Sequence, residues 1–165
     1  MSYQLDQVRL VESDNPYIRF QDLLPVRDAS LLPLDASYTP TVHAQRLGAA
    51  IGLPNLYLKN ETVLPTGTTK DRMAAISLAY LYECGIRKFC TSSTGNSSSA
   101  YSRAMDRFND FEMFLFTASD FYQRVQFSDR PNIRHYVLKD ATFTEAFEYG
   151  GRFAQLNGLA SEKCF

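Results

Sequence analysis

Lys70 stands at the end of the run Pro65-Thr66-Gly67-Thr68-Thr69 and is followed at once by Asp71 and Arg72. Further along, Ser92-Ser93-Thr94-Gly95-Asn96-Ser97-Ser98-Ser99 crowds short hydroxyl and amide side chains around one glycine. A lysine ammonium in water, with a pKa near ~10.4, is a poor nucleophile at neutral pH. Desolvation or nearby positive potential favours the neutral amine, which can then form a Schiff base with a carbonyl. The first turn of an apolar helix offers both influences, since a helix N-terminus carries roughly half a positive charge. Asp71 and Arg72 point in other directions and are expected to pair with other groups. In the second run, glycine permits close backbone approach. Free N–H groups at the start of a following helix favour an anion, so a carboxylate or phosphate is the natural guest. Each run also has a plain reading: a surface lysine at a capped helix start, and a serine-rich N-cap without a guest.

The elements that must position these residues follow from periodicity and punctuation. Residues 1–40 are broken by Asn15-Pro16, Leu24-Pro25 and Leu32-Pro33 and read as an extended arm that wraps something. A helical pattern over 41–51 ends at Gly52, and alternation over 55–61 reads as a strand. A loop over 63–69 leads into a buried helix over 70–83, closed by Gly85. A short strand over 88–91 precedes a helix capped by Asn96 or Ser97 and running to about residue 108. Strands follow over 111–116 and 133–138. Thr142 then N-caps a helix over 143–156, with Glu145 at the capping-box position and Gly158 at the end. Strands alternating with helices predict an α/β fold with a mostly parallel twisted sheet and flanking helices. In such sheets ligands sit beyond the carboxyl ends of the strands. Both runs read as loops of that type and are expected to converge on one pocket.

Together the two runs resemble a specific family. Lys59-Asn60-Glu61 followed by residues 65–72 is similar to the K-x-E and P-T-G-S-x-K-D-R segments of fold-type II pyridoxal-phosphate enzymes. Ser93-Thr94-Gly95-Asn96-Ser97-Ser98-Ser99-Ala100 is similar to the S-T-G-N-T/S-S-A segment of the threonine synthase-like branch. Residues 17–26 and Tyr38-Thr39-Pro40-Thr41 resemble the N-terminal arm and the T-P-L step of that branch, so the likeness extends over nearly the whole chain. The resemblance implies a tryptophan synthase β-like fold and pyridoxal 5'-phosphate as cofactor. It makes Lys70 the lysine that carries the cofactor and moves protons at the substrate's α and β carbons. It also implies that Asn96 binds the 3-hydroxyl oxygen of the cofactor ring, and that Ser93, Thr94 and Ser97 bind the substrate carboxylate and neighbouring groups.

The implied activity is that of a lyase acting on an amino acid by β- or γ-elimination or replacement. A β-replacement synthase of the diaminopropionate or cysteine synthase kind, a dehydratase, a non-catalytic half that binds a partner chain, and an unrelated carboxylate-binding α/β module stay open. Thr68-Thr69 stands where the family has Ser-Phe, and Thr41 where it has leucine, which points to a substrate other than phosphohomoserine or to a secondary-metabolism relative. Family members continue about as long again beyond Phe165, so the fold is expected to be incomplete. Residues 1–55 are expected to be the arm and a helix of the large domain, 56–158 a small α/β domain with both loops, and 159–165 the return to the large domain. A homodimer or a second chain is expected to complete it.

Bulk properties restrict the remaining classes. The 165 residues are 45% hydrophobic and 21% charged, which is the balance of a globular chain. A net charge of −1 argues against a nucleic-acid partner. No run approaches the ~18 apolar residues of a membrane span, and the polar start over residues 1–8 has no signal-peptide pattern. Cys84, Cys90 and Cys164 are an odd set without C-x-x-C spacing, so neither a disulfide framework nor a zinc site is expected. Cys84 and Cys90 are expected to pack as small hydrophobes in a reducing cytoplasm. His43 and His135 lie far apart and suggest no metal centre.

Overall fold

Hydrophobic β-branched and aromatic residues at the carboxyl half of the chain assemble a four-stranded parallel sheet. The computed structural model describes residues 8–34, 36–125 and 130–161. The sheet contains β3 (Lys88–Ser92), β4 (Glu112–Ala118), β5 (Ile133–Leu138) and β6 (Ala160–Ser161), in the order β5-β4-β3-β6. Every neighbouring pair is parallel. β3 and β4 are central: β4 carries a near-continuous apolar run and all of β3 after Lys88 is buried, as burial on both faces requires. Two helices, α3 (Lys70–Glu83) and α4 (Asn96–Ala104), pack against each other over one face, and α5 (Phe143–Asn157) covers the other.

The larger core lies under α3 and α4. Leu78 and Leu81 of α3 meet Phe89 of β3, Met113 of β4, Tyr101 of α4 and Phe111. Full burial of side chains of this size stabilises by about 1.5–3 kcal/mol each. Phe89, Phe108 and Phe111 meet edge-on, with centroids 5.3–5.9 Å apart. On the opposite face, Phe114 and Phe116 pack against Phe153 of α5. There α5 comes so close to β3 that a β-carbon on Gly150 would lie 2.7 Å from Ser92 Oγ. The Ser92 hydroxyl donates to the Ala146 carbonyl at 3.1 Å across this contact.

The arm joins the same core. Its short helix α1 (Pro16–Arg19) is N-capped by Asn15, whose side chain also donates to the Pro33 carbonyl at 2.7 Å. Tyr17, Val26 and Leu32 are buried with the α3 residues. The Glu83 carboxylate accepts from the N–H groups of Arg27, at 2.7 Å, and Asp28. What the arm wraps, in this structure, is therefore the α3–α4 face.

Several expected elements change shape. The helix expected over 41–51 divides into β1 (Thr41–His43) and α2 (Gln45–Ala50). The cause is pairing: β1 runs antiparallel to β2 (Tyr57–Lys59), with Val42 opposite Leu58. The ladder is extended by Ala44 N–H to Leu56 O and Asn60 N–H to Pro40 O, both at 2.9 Å. β2 thus belongs to a separate two-stranded sheet, not to the parallel one. The helix expected to reach 108 ends at Ala104 and tightens into a 3-10 turn over Met105–Arg107. α5 keeps its expected capping box, in which Thr142 and Glu145 each bind the other's backbone N–H, and Gly158 closes it in the left-handed conformation. Cys90 is buried as expected, whereas Cys84 at the end of α3 is exposed; Cys164 lies outside the described residues.

Candidate active site

Three consecutive residues at the start of α3 are all tied down, Lys70 and Asp71 to the turn before the helix and Arg72 to Glu61 and the arm. The Lys70 N–H donates to Thr68 Oγ1 at 3.1 Å. Asp71 accepts from Thr66 N–H at 2.7 Å and from the Thr66 hydroxyl at 2.9 Å, closing the turn before the helix. Arg72 forks onto Glu61, from Nε to Oε2 at 2.6 Å and from Nη2 to Oε1 at 3.2 Å, and Nη2 also reaches Thr39 Oγ1 at 3.2 Å. The Thr39 hydroxyl donates to Glu61, and Lys59 Nζ donates to the Thr39 carbonyl at 2.5 Å. The bonds from Arg72 and then Thr39 hold the Glu61 carboxyl down at about 2. Burial pushes the Tyr17 phenol above its ordinary value, and Arg72 pulls it back in part. Asp71 and Arg72 thus have the separate partners expected of them.

The Lys70 side chain is different. It is half-buried, and its amine has no hydrogen-bond or ion-pair partner among the described residues. Lys59 is committed to Thr39 and Lys88 pairs with Glu112 at 3.0 Å, while Lys139, which also shows no partner among the described residues, is exposed and does not open a helix. A fixed backbone with an uncommitted amine is the arrangement a Schiff-base lysine needs.

The second loop follows β3 and opens α4, as expected. Gly95 is the residue before the helix, with φ +135°, and a β-carbon there would come within 2.7 Å of the Arg124 carbonyl oxygen. The 3-10 turn Ser119–Arg124 therefore lies directly on this glycine. No side chain caps α4 in the usual way, so neither Asn96 nor Ser97 is the cap. Instead Ser93 Oγ accepts from the N–H groups of Gly95 at 3.0 Å and Ser98 at 3.1 Å. The hydroxyls of Ser98 and Ser99 both donate to the Gly95 carbonyl at 2.8 Å. Ser93 is buried by this bonding and shapes the loop from within. Thr94 and Asn96 are exposed, and Ser97 is half-buried at the first turn of α4.

One tight turn thus gathers Ser93, Thr94, Asn96 and Ser97, and Lys70 stands at the start of α3, the helix that packs against α4. The loop before Lys70 follows β2 of the separate hairpin rather than a strand of the parallel sheet, so the expected common origin of the two loops does not hold. A cavity of about 420 Å³ lies beside the start of α3, walled by Asp71, Arg72, Ala75, Ala100 and the arm residues Tyr17 and Thr39. Neither Lys70 nor the 93–97 loop lines it. Sequence reasoning did not single out Thr39 and Thr66 as supports of the lysine. Their partners lie 33 and 5 residues away, and only the shorter spacing is visible locally.

These features define first a class: an α/β fold of the fold-type II pyridoxal-phosphate enzymes, with a lysine at the mouth of one helix and a hydroxyl-rich loop opening the next. Two solved structures share that fold. They are diaminopropionate ammonia lyase from Escherichia coli in complex with D-serine (TM-score 0.61, 13% identity, 78% of this chain and 38% of that chain), and the processed form of threonine deaminase isoform 2 from Solanum lycopersicum (TM-score 0.56, 21% identity, 74% and 34%). The sequence pattern of the family described as pyridoxal-phosphate dependent enzyme matches residues 32–160, and the chain belongs to that family. Its cofactor is pyridoxal 5'-phosphate.

Among curated relatives, the chain is 35% identical over 83 residues to threonine synthase of Methanocaldococcus jannaschii, covering 50% of this chain and 20% of that protein. It is 31% identical over 99 residues to threonine synthase of Methanosarcina acetivorans, covering 60% and 24%. The chain therefore spans about a fifth to a quarter of the length of these relatives. The donor set fits the cofactor on one observation of this structure: the Lys70 amine is uncommitted while its backbone is anchored. Among the described residues no helix is long and apolar enough to cross a membrane, and no cluster of metal-ligating side chains occurs.

Proposed function

We propose that this chain is the lysine-bearing part of a pyridoxal-phosphate-dependent lyase that acts on an amino acid by β- or γ-elimination or replacement, in the manner of threonine synthases. The observation that carries the reading is Lys70, anchored through its backbone and with no partner for its amine among the described residues. The bound cofactor supplies an electron sink for the carbanion at the substrate's α carbon. Lys70 holds the cofactor and then moves a proton at the α and β carbons. Asn96 donates to the oxygen on the cofactor ring. Thr94 and Ser97, with the N–H groups at the start of α4, bind the substrate carboxylate, and Ser93 sets the loop that presents them. In this reading the enzyme is cytoplasmic and works with a partner copy or a second chain.

Borohydride reduction in the presence of pyridoxal 5'-phosphate, followed by intact mass and peptide mapping, tests the site. The expected result is one reduced pyridoxyl phosphate on Lys70 and none in Lys70→Ala. Label spread evenly over Lys59, Lys88 and Lys139, or a single-site label that survives in Lys70→Ala, would overturn the reading. A second reading, a non-catalytic half that binds a partner chain, is favoured by the apolar side chains exposed on the hairpin and α2, including Leu47, Ile51 and Tyr57. Turnover of an amino-acid substrate by the assembled protein separates the two.

A further inference from the structure

The start of α3 is held by an ion pair that bridges three parts of the chain. Glu61 lies after β2, Arg72 is the third residue of α3, and Thr39 belongs to the arm. Arg72 binds both oxygens of Glu61 and the hydroxyl of Thr39, and Thr39 donates back to Glu61, so each group has two partners within the cluster. The pair is only about a quarter exposed, at 25% and 23% for the two side chains. A forked guanidinium–carboxylate contact fixes direction as well as distance, which a lysine in the same place does not. Arg72 is two residues from Lys70 on a helix, so a shift of Arg72 rotates or translates the Lys70 Cα with it. Besides its place in the helix, Lys70 is anchored through its backbone N–H by the Thr68 hydroxyl at 3.1 Å.

We infer that Glu61 and Arg72 are positioning residues that aim the Lys70 amine, so that Lys70 rather than another lysine of the chain captures the cofactor's aldehyde. The inference rests on the proposed role of Lys70. The captured bond balances simply: the neutral amine adds to the aldehyde carbon, and the carbonyl oxygen leaves as water. Displacing a reacting group by about 1 Å costs on the order of 100-fold in rate. Arg72→Lys keeps the charge but loses the fork, and Glu61→Gln keeps the shape but loses the charge.

The test is the rate and site of borohydride-trapped pyridoxal 5'-phosphate, mapped by peptide mass in the natural chain, Arg72→Lys, Glu61→Gln, the double variant and the control Arg103→Lys. Thermal melting of each is followed in parallel. The expected result is a drop of about tenfold or more in trapping at Lys70 in both single variants, no further drop in the double variant, and no change in Arg103→Lys. Label at other lysines should be unaffected. Two outcomes overturn the inference while leaving the Lys70 reading intact. One is trapping at Lys70 that stays at the natural rate in Arg72→Lys and Glu61→Gln. The other is loss that appears only with loss of the folded baseline. If the natural chain is not labelled at Lys70, the Lys70 reading fails and the positioning role fails with it.

Discussion

At the scale of single residues, the division of labour between neighbours is what makes the candidate site. Lys70, Asp71 and Arg72 are consecutive, yet one presents an uncommitted amine and the other two hold the turn and the arm. The exposed Asn96 sits where α4 begins, and its side chain builds no part of the loop's internal bonding. Asn96→Ala is therefore expected to leave thermal melting unchanged and to weaken pyridoxal 5'-phosphate binding by roughly tenfold, the worth of one good hydrogen bond, in an absorbance titration. Glu61 gives a pH signature. Its carboxyl is held at about 2 by Arg72 and Thr39, below the ordinary carboxylate range it has when unfolded. Its stabilising contribution is complete above that ordinary range and is lost as pH falls toward about 2. Glu61→Gln should lower stability at neutral pH and flatten the acid slope across that window in denaturant titrations. An unchanged slope would show that the pair does not stabilise the fold.

At the scale of elements, the parallel sheet is the rigid part and its flanks carry the chemistry. The face of α5 that carries Ala146, Gly150 and Ala154 packs on β3 and β4 through residues small enough for close approach. The helix is closed at its start by the reciprocal Thr142–Glu145 box. Thr142→Ala should cost about 1 kcal/mol of stability in chemical denaturation. It should not alter trapping of the cofactor at Lys70, because α5 covers the face opposite α3 and α4. The β3–α4 turn is under a different constraint. Gly95 has a positive φ and lies against the Arg124 carbonyl, so the loop and the Ser119–Arg124 turn must move together if either moves.

At the scale of the whole molecule, exposed apolar surface is unevenly distributed. Val42, Leu47, Ile51, Leu53, Tyr57 and Leu58 all lie on β1, α2, β2 and their connections, and each is about half exposed. Isolated exposed apolar residues are ordinary, whereas six of them concentrated on one short unit fit an interaction surface. The chain is expected to associate in a concentration-dependent manner in sedimentation velocity, and Leu47→Lys with Ile51→Lys should return it to a monomer. A natural chain that sediments as a monomer at high concentration would remove the support for a partner at this face.

The sequence by itself determined the parts whose cause is local. The 14-residue helix begins at Lys70 and ends at Glu83 because Pro65 and Gly67 break the chain before it and Gly85 after it. The Thr142 box and the Gly158 stop mark α5 from residues three or fewer positions away from its ends. Lys70 and the 93–97 loop were singled out by their resemblance to short local motifs of the family. What required the tertiary structure was everything decided by distant partners. Residues 41–43 alternate poorly enough to pass for helix until Leu58 arrives across from Val42. Ala160–Ser161 becomes a strand only because the edge of β3 is open to it. Thr39 acquires its place at Glu61 and Arg72 across 22 and 33 residues. A hydrogen bond between distant segments leaves no periodicity in either of them. Its partners become legible only when the chain has closed the loop between them.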